Sequence, residues 1–173
     1  LTVTNRFYTY NSATDVYSAI APGSNDFLTA KSYLIRMPDN HPTSPTVWEG
    51  SFVGKPNSGD LTFTLSAAGN GYTAVGNPYP SPVSIATFLN DNNGLIDGNL
   101  YFWRKTNNAL GSAYITCSGG VFSDGPHDHN NIQPGQGFFV RAVSAGNLQF
   151  NNLQRELNDG VFYRNDNAVT SSR

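Results

Sequence analysis

The stretch "AVGNPYPSPVSIATFLND", residues 74–91, decides how the rest of the chain is read. Prolines stand at 78, 80 and 82, with a tyrosine among them and an asparagine-proline step in front. Proline fixes φ and has no N–H to give, so the run cannot be a central strand. The residues before the prolines, Asn77, Tyr79 and Ser81, are pushed toward extended backbone. The expectation is a stiff, polyproline-like corner. Asn77 can tie the turn through its side chain. Tyr79 packs its ring on the fold and offers its hydroxyl at the rim, which also makes it a candidate for contact with a bound sugar. The corner leads into one short helix near 84–91. Ser84 is a suitable N-cap, and Ile85, Phe88 and Leu89 share a face at i, i+3 and i+4.

On either side of this corner, strand signals recur at short intervals. They fall at 6–10, 16–20, 31–37, 46–53, 60–66 and 71–76, then at 99–104, 112–116, 120–123, 137–143, 147–151 and 160–164. Each is rich in aromatic and β-branched residues. In "DLTFTLS" the pattern alternates cleanly, with Leu61, Phe63 and Leu65 on one side and Thr62 and Thr64 on the other. Turns such as "APGSND", "GKPNSGD" and "QPGQG" separate the strands. About a dozen short strands joined by Gly, Pro and Asn predict an all-β, jelly-roll-like sandwich.

Composition supports that class and excludes others. The chain has 173 residues, enough for one domain, or two small halves packed as one, with a sizeable core. Charged residues make up only 13%, against about a quarter in average chains. Net charge is −2 and no Lys/Arg run occurs, so nucleic acid is not an expected partner. No apolar run approaches the roughly 20 residues that span a bilayer, so membrane insertion is not expected either. No signal peptide is visible. Cys117 is the single cysteine and reads as a small buried apolar residue.

An internal repeat organises the chain. "RFYTYNSATDVYSAI" resembles "NLYFWRKTNNALGSAYI", and "AKSYLIRM" aligns with "GQGFFVRA" so that Tyr33 matches Phe138, Ile35 matches Val140 and Arg36 matches Arg141. Two related halves are expected, 1–70 and 71–173, packed as one domain and forming part of a longer protein.

"GYTAVGNPYPSPVS", "DGNLYFWRKTNN", "IQPGQGFFVRA" and "LQFNNLQRELNDGVFYR" together resemble an accessory β-sandwich module of large secreted or surface proteins in Bacteroidetes-type bacteria. Such modules lie near the C-terminal end of cargo of the type IX secretion system. They accompany polysaccharide-active enzymes, nucleases and adhesins. The resemblance covers roughly residues 30–164. It implies a secreted or cell-surface location and an accessory rather than a catalytic role. No C-terminal sorting domain is read in these residues, in keeping with the expectation that they are part of a longer protein.

Candidate chemistry is sparse. His127, Asp128 and His129 form a His-x-His element that could grip a transition metal, but no further ligands are predictable, and the loop reads as a solvated insertion. Asp124, Asp128 and Asn130 are a weak offer to calcium and lack an EF-hand pattern. No other cofactor is expected. "QPGQG" precedes a strand rather than a helix, so it is read as a tight turn and not a phosphate cradle. No nucleophile elbow occurs, and the only glutamates are Glu49 and Glu156, so no enzyme activity is expected.

Aromatics are the lead that remains. Trp48 and Trp103 are the two indoles. Alternation in "LYFWRK" puts Tyr101 and Trp103 on one face and Leu100 and Phe102 on the other. With the latter pair in the core, the former faces outward or lies under a covering loop. The candidate ligand-binding residues are therefore Trp103, Tyr101, Trp48 and Tyr79, and the expected partner is a glycan or polysaccharide. A spacer or assembly repeat pairing with neighbouring copies or domains is the alternative. An accessory domain of a secreted polysaccharide-active enzyme is another.

Overall fold

The computed structural model describes residues 6–21, 27–36, 53–104, 113–124 and 130–157. Within them the chain is an all-β sandwich with one short helix. The strands are β1 (Phe7–Asn11), β2 (Val16–Ile20), β3 (Tyr33–Ile35), β4 (Leu61–Leu65), β5 (Tyr72–Gly76) and β6 (Val83–Ser84). After helix α1 (Ile85–Asp91) come β7 (Ile96–Arg104), β8 (Ala113–Ser118), β9 (Val121–Phe122), β10 (Asn131–Ile132), β11 (Gly137–Ala142) and β12 (Gly146–Phe150). The strands expected at 46–53 and 160–164 lie outside the described residues, apart from Val53.

The largest sheet has the order β5-β11-β7-β8-β9, and every pairing in it is antiparallel. Its inner face supplies Val75, Leu100, Phe102, Ile115, Cys117, Phe138 and Val140, all buried. Two smaller pairs, β4 with β12 and β6 with β10, and helix α1 belong to the same core. Phe88 of the helix bridges the layers: its ring lies 5.6 Å from Phe138 on the large sheet and 5.2 Å from Phe150 on β12. Burying one such ring contributes on the order of 2 kcal/mol. Leu61, Phe63 and Leu65 turn to the core as the alternation required, with Thr62 and Thr64 exposed.

The helix begins where the sequence places it. The Ser84 hydroxyl accepts a hydrogen bond from the Thr87 amide, and Ile85 and Phe88 are fully buried. At the other end, buried Asn92 donates to the Phe88 and Gln149 carbonyls and accepts from the Gln149 amide, which locks the helix to β12.

The proline run is a corner, and Asn77 holds it. Its amide nitrogen donates to the Ser81 carbonyl at 2.8 Å and the Ile132 carbonyl at 2.9 Å, while its oxygen accepts from the Tyr79 amide. Tyr79 is 2% exposed, and its hydroxyl donates to the Gly59 carbonyl at 2.6 Å. The Arg155 guanidinium lies 5.4 Å above the ring and also donates to the Ser81 hydroxyl. Tyr79 therefore differs from the expected rim residue: its ring is in the core, its hydroxyl is taken, and it offers no open face to a sugar.

A fourth sheet, β2-β1-β3, repeats the pairing of β8-β7-β11. Phe7 lies opposite Ile20 on one side and Ile35 on the other, just as Leu100 lies opposite Cys117 and Val140. Tyr10 faces Tyr17 as Trp103 faces Tyr114. The segment before β3 is stitched to the edge of β5, where the Ser32 amide donates to Ala74 and the Gly76 amide to Ala30. The β1–β2 hairpin thus approaches the outer face of the large sheet.

Candidate functional site

Where the hairpin meets the outer face, aromatic side chains converge on Phe139. The residue points away from the core because its neighbours Phe138 and Val140 point into it. Across one strand border it faces small Ala74, and across the other Tyr101. The small neighbour leaves space for Tyr10, whose ring stands at 89° to Phe139 with centroids 4.8 Å apart. Tyr114 stands at 87° and 5.6 Å, and Tyr17 at 89° and 6.4 Å. Edge-to-face packing of this kind is the favoured arrangement of aromatic quadrupoles. Tyr72 and Tyr101 form a further T-shaped pair at 5.5 Å.

Together Tyr10, Tyr72, Tyr101, Tyr114 and Phe139 line a cavity of about 350 Å³. That volume is at the small end of ligand sites, roughly 300–1,000 Å³. At its border Trp103 packs edge-on against Tyr114 at 5.0 Å and remains 49% exposed. The expected split of "LYFWRK" holds, with Leu100 and Phe102 buried and Tyr101 and Trp103 on the outer face.

Two carboxylates stand behind the rings. The Tyr10 hydroxyl donates to Asp15 at 2.7 Å, and the Tyr101 hydroxyl donates to Asp97 at 3.2 Å. Asp15 sits in the β1–β2 turn at φ 53° and also accepts from the backbone and side-chain nitrogens of Asn70. Asp97 is placed by an irregularity in β7: the register against β11 shifts where Gly98 takes φ 77°. That positive φ suits glycine. Asp97 also accepts from the Asn99 amide.

The environment shifts these groups. Burial, followed by the Asp15 contact, pushes the Tyr10 hydroxyl far above its ordinary value. Burial and Asp97 do the same to Tyr101, and burial and Tyr114 to Tyr17. The Tyr10 hydrogen bond, aided by Asn70, holds Asp15 below the usual carboxylate range. Cys117, fully buried in the core, is pushed up to about 11 by burial, as befits an inert core thiol.

A family model described as a domain of unknown function (DUF8693) matches residues 1–173. The chain belongs to that family. No curated protein and no solved structure matches it.

Of the expected binding residues in this DUF8693 domain, Tyr101 and Trp103 come together at the cup, whereas Tyr79 is in the core. Trp48, His127, Asp128 and His129 lie outside the described residues. Asp124, a weak calcium candidate, pairs with Arg104 at 2.8 Å. Among the described residues no group of His, Cys, Asp and Glu is arranged to hold a metal, and no helix is long and apolar enough to cross a membrane.

Tyr10, Tyr17, Tyr72, Tyr114 and Phe139 were not singled out by sequence. Strand alternation alone does not reveal them, because the site forms between two sheets. The repeat carried the usable signal, since it aligns Tyr10 with Trp103. A larger hollow of about 870 Å³ borders the proline corner. Two of its polar groups are engaged within the protein: Asn57 donates to the Pro78 carbonyl, and the Tyr33 hydroxyl accepts from the Leu28 amide.

Proposed function

We propose that this domain is a non-catalytic binding or adhesion module of a secreted or cell-surface protein, and that it holds a sugar unit of a glycan at the aromatic cup. The observation that carries the reading is the convergence of aromatic side chains on Phe139, with the exposed Trp103–Tyr114 pair continuing the cup outward. Aromatic faces take the apolar side of a pyranose ring, and nearby polar groups fix its orientation. The likeness to secreted accessory modules supports the location.

The test is a glycan and polysaccharide array followed by tryptophan-fluorescence titration, with and without calcium. Trp103→Ala is expected to lower affinity at least tenfold without changing the melting transition. Silence across the panel, or unchanged binding by that variant, would remove the reading.

A second reading, a spacer or assembly element, is favoured by β2. It is the edge of its sheet, and four of its five residues are exposed, with Val16 at 51%. Such an edge can add a strand from another chain. Concentration-dependent mass growth in light scattering would support it, and a strict monomer would count against it.

A further inference from the structure

The polar lining of the cup points to one class of ligand. A tyrosine hydroxyl has one proton. At neutral pH a carboxylate can only accept, so the protons of Tyr10 and Tyr101 are committed to Asp15 and Asp97. Toward a ligand these two oxygens therefore offer lone pairs alone. The ring faces that line the cavity are also electronegative, and Tyr10 and Tyr114 stand nearly perpendicular to Phe139 rather than coplanar with it. Arg141 stands on the same face opposite Tyr72 and directs its Nε to the Asn70 carbonyl. Among the described residues, the Asp15 and Asp97 carboxylates and the Arg141 guanidinium flank the cup. Acceptor oxygens, electronegative ring faces and the two nearby carboxylates favour a cationic hydrogen-bond donor.

We propose that the cup takes the protonated primary amine of an unacetylated amino sugar. This rests on the glycan reading and narrows it. The ammonium enters over the ring faces and donates to the hydroxyl oxygens of Tyr10 and Tyr101. The sugar ring extends over Tyr114 toward Trp103. An N-acetylated sugar loses the charge, and its added acyl group must enter a site that offers it no such partners.

The experiment is calorimetric titration of the intact chain with four probes: the glucosamine tetramer, the N-acetylglucosamine tetramer, cellotetraose and pentylamine. The glucosamine tetramer is expected to bind at least tenfold more tightly than the other two sugars, and less tightly as salt is raised. Asp97→Asn should weaken that binding several-fold, and the ligand comparison on the unaltered protein needs no variant to be informative. Equal binding of all three sugars overturns the amine assignment and leaves the glycan reading standing. Tighter binding of the acetylated tetramer overturns it too. Binding of pentylamine with none of the sugars overturns the amino-sugar proposal together with the glycan reading. Silence from all four probes removes the cup as a cation site.

Discussion

Tyr10 and Trp103 hold the same place in two hairpins. Each faces a tyrosine across its own strand border, Tyr17 or Tyr114, with centroids 5.3 and 5.0 Å apart and ring planes at 67° and 63°. The two differ in what lies beyond the ring. Tyr10 ends in a hydroxyl bonded to Asp15, whereas Trp103 opens toward solvent. Tyr10→Phe, which removes that bond, should therefore destabilise the fold more than the matching change at Trp103. Trp103→Phe should cost less than about 0.5 kcal/mol, as exposed positions do. Urea denaturation of both variants measures the difference, and equal costs would mean that Asp15 is not what holds Tyr10.

The proline corner gives a second prediction. Asn77→Ala removes two donated bonds and one accepted bond, and leaves the Ser81 and Ile132 carbonyls and the Tyr79 amide without that partner. Each buried group left unpaired costs about 1–3 kcal/mol, so a loss of roughly 3 kcal/mol or more is expected. Ser81→Ala removes only the contact with Arg155 and should cost about 1 kcal/mol. A small cost for Asn77→Ala in chemical denaturation would show that the prolines alone stiffen the corner.

Much of this architecture was legible because it is local. Ser84 as cap, the Ile85 and Phe88 helix face, the alternation of Leu61 to Leu65 and the outward Tyr101 all depend on residues a few positions apart. The cup was only half legible. Tyr101 and Trp103 were visible on one strand, but Tyr10 reaches Phe139 because the β1–β2 hairpin approaches the outer face, and no periodicity encodes that approach. Tyr79 was misplaced for a related reason: its neighbours in sequence say extended and stiff, while its burial is set by Gly59, Phe150 and Arg155, all distant in the chain.

Asp15 predicts an acid response. Its folded-state pKa is depressed, so its stabilising contribution is present above the ordinary carboxylate range and is lost as pH falls through the lowered folded value. Protonation weakens its hold on Tyr10 and Asn70, joining the hairpin turn to the turn before β5. Asp15→Asn tolerates the same backbone conformation and should flatten the acid limb of a stability-versus-pH curve. Parallel acid limbs for the two proteins would assign the loss to other groups.

The tyrosines give the opposite limb. Tyr10, Tyr17 and Tyr101 all hold their protons well above the ordinary value of about 10, chiefly through burial. Between that value and the raised one, the folded chain binds more protons than the unfolded chain. Stability is therefore full below about pH 10 and falls as pH rises toward the folded-state values. Phenolate absorbance followed through an alkaline titration, with near-ultraviolet circular dichroism on the same samples, reads both sides of this linkage. The chain has nine tyrosines. Tyr10, Tyr17 and Tyr101 should titrate late, together with loss of the near-ultraviolet signal. Tyr101→Phe should remove one equivalent from that late titration. A single reversible step for all the tyrosines, with the aromatic signal intact, would mean that the cup is open enough for its hydroxyls to behave as free phenols.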